Sequence, residues 1–247
     1  MDSTVKKKVL GVIPARLDST RLPRKVLKEI NGLPMVANVY FQAEKANNLD
    51  SCVVATDSTE VFEVMENLNI PAVMTSSDAQ SGTDRMVEVA ENSDADIFVN
   101  IQGDEPLIEP SVIDETVKPF LMNTELKIGT CASENLSEKD FSDKNVVKVT
   151  VNENGFAESF IRVPPLNGTM QKMMKHIGLY VFTREALLKF TGLERSINEI
   201  ENSLEQLRAL DNNIPVYVVK VDYDGFAIDT PEDLEKARSI FKIAETN

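Results

Sequence analysis

The chain has 247 residues, 42% hydrophobic and 27% charged, with a formal net charge of −14. That composition fits a soluble globular protein with one large α/β domain or two small ones. A chain this negative is not a nonspecific binder of nucleic acid or anionic membrane, and no stretch approaches the roughly 20 apolar residues of a membrane span.

In chain order, the first apolar run is "KVLGVI" (8–13), which reads as a buried strand. The wider run Val9 to Ala15 contains Pro14 and is followed by Arg16, so it is too short for a secretory signal and a cytoplasmic location is expected. The loop that follows packs Arg16, Arg21, Arg24 and Lys25 together with Ser19 and Thr20, a local reversal of the chain's charge. Helices are expected over 34–46, 59–69, 82–92 and 111–122, and strands over 52–56, 71–75 and 95–102. Strands of five to eight residues alternating with helices imply βαβ units and a parallel sheet covered by helices.

The second half changes pattern. Residues 146–162 form two alternating runs around Asn154 and Gly155, a hairpin signal. Strands are expected at 176–183 and 214–221, and helices at 203–210 and 230–241, the last with Thr230 as cap and Pro231 in the first position. The expected fold is one continuous α/β domain, mostly parallel, with a smaller antiparallel lobe. Cys52 and Cys131 lie far apart in apolar contexts without ligand spacing and read as buried free thiols.

In open parallel sheets, ligands bind beyond the carboxyl ends of the strands. The loop after strand one and "QGDEP" (102–106) after strand four therefore meet at one crevice. Guanidinium and ammonium groups beside hydroxyls suit an oligophosphate, although the loop has neither the Walker glycines nor GxGxxG. The plain alternative is a solvated basic loop. Asp104 opposite such a loop makes sense with a cation between carboxylate and phosphate, and Mg²⁺ takes one or two carboxylates plus phosphate oxygens. Asp229 offers the second carboxylate; its alternative role is helix capping. "TSSDAQSGTDR" (75–85) either caps a helix through Ser81 or Thr83, or reads a base or sugar. His176, the only histidine, reads as structural or catalytic. An apolar stripe at Leu204, Leu207 and Leu210 would leave Glu205 and Gln206 off the packed face.

"IPARLDSTRLPRK", "VATD", "SGTDR", "VNIQGDEP", "KHIGLYVF", "LEQLRAL" and "IDTPEDLE", in this order, resemble the 3-deoxy-manno-octulosonate (Kdo) cytidylyltransferases over about 9–241. The resemblance implies a Rossmann-like nucleotidyltransferase fold, with a nucleotide-binding half at about 1–125 and an acceptor-sugar and dimerisation half at about 126–247. It implies transfer of CMP from CTP to the anomeric hydroxyl of an acidic sugar such as Kdo or 8-amino-Kdo. Pyrophosphate is released, Mg²⁺ is required, and the enzyme is a homodimer that feeds lipopolysaccharide assembly. By the same resemblance, Arg16, Ser19, Arg21 and Lys25 hold the triphosphate. Ser81, Gly82, Arg85 and Gln102 lie by the cytidine. Asp104 and Asp229 hold magnesium, and Arg16, Lys25 and both aspartates serve catalysis. Arg162, His176, Tyr180, Glu205 and Gln206 shape the sugar pocket.

Three departures stand out. Arg24 occupies the family's glycine position, "SFIR" replaces "YFSR", and the 163–175 segment is shorter than its counterpart. They leave room for another ulosonic or sialic acid or a phosphonate as acceptor, or for a CTP-binding regulator without activity.

Overall fold

The first apolar run folds as β1 (Val9–Pro14), buried along nearly its whole length. This is a computed structural model that describes residues 6–79, 81–165 and 169–246. A small hairpin of β2 (Glu29–Ile30) and β3 (Leu33–Pro34) follows, then α1 (Met35–Ala43), β4 (Ser51–Thr56), α2 (Thr59–Asn67) and β5 (Ala72–Met74). After these come α3 (Gly82–Glu91), β6 (Ile97–Asn100) and α4 (Pro110–Met122). The remainder is β7 (Ile128–Ser133), α5 (Glu138–Ser142), β8 (Lys148–Val151), β9 (Ala157–Ile161), β10 (Met174–Thr183), α6 (Arg184–Thr191), α7 (Ile197–Asn202), α8 (Leu207–Asp211), β11 (Val216–Val221) and α9 (Pro231–Thr246). The chain divides into two compact units, 1–114 with 225–247, and 115–224.

In the first unit, β6, β1, β4 and β5 lie side by side, all parallel, with Val12 paired to Val53 and to Asn100. Every residue of β6 is buried, as continuous apolar strands covered on both faces must be. Ser58 caps α2 and Ser81 caps α3, each hydroxyl accepting from the backbone N–H three residues on. One apolar cluster fixes the functional loops. Leu22 from the loop after β1 packs with Ile30, Met35, Ile228, Leu234 and Ala237, flanked by Phe226 and Phe241. The Ile228 amide donates to the Asp104 carbonyl at 2.9 Å, which brings the segment before α9 to the loop after β6.

In the second unit, β7 pairs antiparallel with β10 and parallel with β11, while β8 pairs antiparallel with both β10 and β9. The expected hairpin is present. Gly155 takes φ 82° in its loop, and the Asn152 side-chain oxygen accepts from the amides of Asn154 and Phe156. The strand β7 has no counterpart in the sequence reading. Its small residues Gly129, Thr130, Cys131 and Ala132 are all buried, and they carry no alternation to read. Gly129 leaves room for the Phe120 ring; a β-carbon there would sit 2.4 Å from the ring edge. The helix expected over 203–210 is also corrected. Ser203 adopts φ 51° and ends α7, and α8 begins only at Leu207.

Among the described residues, no helix is long and apolar enough to cross a membrane. Both cysteines are free and buried, as expected, and burial pushes the Cys52 thiol up to about 12.

Candidate active site

The first unit assembles its site beyond the ends of β1 and β6. Gly103 is the hinge of that assembly, because a β-carbon there would stand 2.8 Å from the Pro14 carbonyl oxygen. Only glycine lets the loop after β6 lie against the end of β1. From the first loop, a single 3₁₀ turn at Lys25–Leu27 buries Val26 and directs Lys25 inward. The Lys25 ammonium donates to Asp104 Oδ2 at 2.6 Å and to Asp229 Oδ1 at 2.9 Å. Arg21 Nη2 lies 3.0 Å from the other Asp229 oxygen. Burial opposes the Lys25 charge, but Asp104 and Asp229 together outweigh it and hold its pKa above 10.5.

Asp229 does not cap α9. Thr230 does, accepting from the Asp233 amide at 3.2 Å, while Asp233 Oδ2 accepts from the amides of Asp229 and Thr230. The Asp229 carboxylate is thereby left to the cations. Arg16 is exposed on the same loop and Ser19 half-buried. Arg24 stands in the left-handed region at φ 58° and pairs with Glu60.

The residues expected beside cytidine lie on and around α3. Ser81 caps that helix, accepting from the Asp84 amide at 3.1 Å, and Gly82 is its first residue. Arg85 is 4% exposed and is committed to protein partners: Asp57 Oδ2 at 3.0 Å, the Ser76 carbonyl at 3.3 Å, and the Thr75 hydroxyl. Its position thus ties the end of β4 to α3. The Gln102 amide reaches Asn100 Oδ1 at 3.4 Å. Asp57 follows directly on β4, the same strand-end logic that marks Asp104, and was readable on that ground.

In the second unit, His176 and Tyr180 share one aromatic stack, with ring centroids 5.5 Å apart, and Phe160 meets the histidine edge-on at 5.1 Å. His176 is half-buried by exposure, but the rings stacked on it keep water from the imidazole, and this desolvation lowers its pKa from 6.5 to about 3. Thr130 Oγ1 lies 2.9 Å from His176 Nε2 and 2.8 Å from the Leu179 carbonyl, freed by the bulge between Ile177 and Tyr180. The hydroxyl has one proton, and it goes to the carbonyl, so Nε2 carries the imidazole proton. Tyr180 is pushed well above 10 by burial and by the nearby Glu205 charge.

Two expectations in this unit meet corrections. Gln206 is 7% exposed, so it lies inside the packed face with Leu204 and Arg208, not off it. The break at Ser203 rotates this segment away from the single-helix stripe. The Arg162 guanidinium donates to the carbonyls of Asn202 at 3.0 Å and Ser203 at 3.1 Å, capping the end of α7. Lys148, fully buried, holds the Arg162 carbonyl at 2.9 Å and the Asp143 carbonyl at 2.6 Å.

Glu205 stands 3.9 Å from Arg208, which is forked onto buried Glu199 at 2.7 and 2.8 Å. The Ser196–Glu199 capping box behind this network was legible as S-x-x-E. Of the 163–175 segment, residues 166–168 lie outside the described residues.

A family model described as cytidylyltransferase matches residues 10–221. The chain is similar to the 3-deoxy-manno-octulosonate cytidylyltransferase of Trichlorobacter lovleyi, 41% identical over 95% of this chain and 98% of that one. The enzyme of the same name from Chlorobium phaeobacteroides is 42% identical, over 95% and 97% of the two chains. Among solved structures, a CMP:2-keto-3-deoxy-manno-octonic acid synthetase complexed with CTP superposes with a TM-score of 0.90. It is 35% identical and is covered over 99% of its length, with 96% of this chain. A cytidylyltransferase from Leptospira borgpetersenii shares the fold at 19% identity and TM-score 0.64, over 96% of this chain and 87% of that one.

The parallel sheet, with cations and carboxylates beyond its strand ends, is that of a nucleotidyltransferase. The chain belongs to the 3-deoxy-manno-octulosonate cytidylyltransferase family.

Proposed function

We propose that this chain transfers CMP from CTP to the anomeric hydroxyl of Kdo and releases pyrophosphate. The observation that carries the reading is the convergence of Lys25, Asp104 and Asp229, in a chain of this family, at the strand ends where nucleotides bind. Two carboxylates focused on one ammonium form a donor set that fits a hard cation, and among the described residues no third His, Cys, Asp or Glu joins them. Mg²⁺ suits that set, its remaining ligands coming from phosphate and water. When bound, it supplies charge neutralisation between nucleophile and triphosphate.

The chain's own groups do the rest. Arg16, Arg21 and Lys25, with Ser19, bind the triphosphate and stabilise charge as pyrophosphate leaves. Ser81, Gly82, Arg85 and Gln102 lie by the cytidine, with the buried Arg85 acting through Asp57 and Thr75 as a positioning residue. In the second unit, Tyr180, Glu205, Gln206 and neutral His176 offer polar groups to the sugar hydroxyls. Arg162 is the cation for the sugar carboxylate, using the N–H groups left over from its bonds to the Asn202, Ser203 and Lys144 carbonyls. The enzyme is further inferred to be a cytoplasmic homodimer, its mass to be checked by light scattering.

Pyrophosphate release with CTP and Mg²⁺ across Kdo, 8-amino-Kdo, N-acetylneuraminate and a phosphonate tests the reading. Release is expected with Kdo. Release with another acceptor alone corrects the substrate, and silence with all four in protein that binds CTP overturns the reading.

A further inference from the structure

The chain's own cations already neutralise the two carboxylates. Lys25 bridges Asp104 and Asp229, and Arg21 takes the remaining Asp229 oxygen, so two negative charges face two positive ones. The Lys25 side chain is only 12% exposed, against 57% for Arg21, so the lysine is the cation set between the carboxylates. Its backbone is anchored independently. Val26 is buried beneath the 3₁₀ turn, and the Lys28 amide donates to the Lys25 carbonyl at 2.9 Å. The four-carbon stem can therefore swing without moving the loop.

A bare divalent ion meets an occupied position there. No third protein carboxylate, among the described residues, adds the charge that would let both cations stay. A triphosphate removes the conflict twice over. Its oxygens accept the ammonium, and they supply the ligands that two aspartates lack.

We propose that Lys25 is a displaceable internal cation that makes metal binding conditional on nucleotide. Its ammonium holds the place between Asp104 and Asp229 until a triphosphate draws it off and lets the metal enter. The proposal rests on the reading of the two aspartates as metal ligands given above. Its consequence is an order of loading: metal alone binds weakly, and metal with nucleotide binds well. The lysine also spares the free enzyme two unpaired, half-buried carboxylates.

The test uses the full chain and Mn²⁺ as the probe, followed by electron paramagnetic resonance with no turnover. Lys25→Met, with its fold checked by circular dichroism, should bind Mn²⁺ without nucleotide at least ten-fold more tightly than the parent. Adding CTP should then tighten Mn²⁺ binding far less in the variant than in the parent. Equal or weaker nucleotide-free binding by Lys25→Met overturns the proposal.

Should that variant not fold, the parent protein answers alone through the ¹⁵N signal of the Lys25 ammonium. Mg²⁺ by itself should leave that signal in place, and Mg²⁺ with CTP should shift it. A shift with Mg²⁺ alone overturns the proposal. A parent that gains no Mn²⁺ site even with CTP, or keeps that site in Asp104→Asn and Asp229→Asn, overturns the metal reading itself.

Discussion

Arg24 takes φ 58° and ψ 36°, a region where the β-carbon crowds the following carbonyl at a cost of about 1–2 kcal/mol. Glycine, with no β-carbon, pays no such penalty. The side chain offsets part of that cost by pairing with Glu60, an exposed pair worth at most about 1 kcal/mol. Arg24→Gly should therefore leave the thermal midpoint unchanged or raise it, while Arg24→Val should destabilise by about 1–2 kcal/mol, as calorimetry will show. His176 gives a second test at this scale. Its folded pKa of about 3 lies below the unfolded value of 6.5, so its share of stability is complete above 6.5 and is lost as pH falls toward 3. The ring should stay neutral in its NMR titration from pH 8 to 5, and the activity profile should carry no histidine limb there. Protonation near pH 6.5 would contradict the packed environment. The sequence shows a lone histidine; it does not show Thr130, whose hydroxyl fixes the tautomer from a strand that had no readable pattern.

Among the elements, those with long-range periodicity or capping chemistry were the legible ones. The parallel strands, the α3 cap at Ser81, the hairpin around Asn154 and Gly155, and Thr230 as the cap of α9 all follow from local rules and are present. Elements built from small or broken segments were not legible. Strand β7 is fully buried yet its centre is Gly, Thr, Cys and Ala, and the left-handed Ser203 ends α7 so that α8 begins only at Leu207. Gly103 carries the sharpest prediction here. A methyl group at 2.8 Å from the Pro14 carbonyl forces the loop after β6 away from β1. Gly103→Ala should cost about 1–3 kcal/mol in denaturant unfolding and lower kcat by shifting Asp104. Unchanged stability and activity would mean that the loop has slack that this contact denies.

For the molecule as a whole, the chain order of motifs conceals which residues share a unit. Residues 225–247 belong with 1–114, and so Asp229, 125 positions beyond Asp104, meets the same ammonium. In the sequence both aspartates follow apolar runs and precede helices, the only local sign that they belong together. What the sequence could not show is that a lysine already stands between them, since that depends on the apolar cluster of Leu22, Ile228 and Leu234 drawing two distant loops together. The central claim is that these two carboxylates and their cation form the catalytic centre of a Kdo cytidylyltransferase. The most direct measurement is the rate of pyrophosphate release from CTP and Kdo with Mg²⁺, for the parent chain and for Asp104→Asn side by side. The parent should turn over, and the variant, still folded by circular dichroism, should lose about 10²-fold or more in kcat. Equal rates in the two proteins would contradict the account.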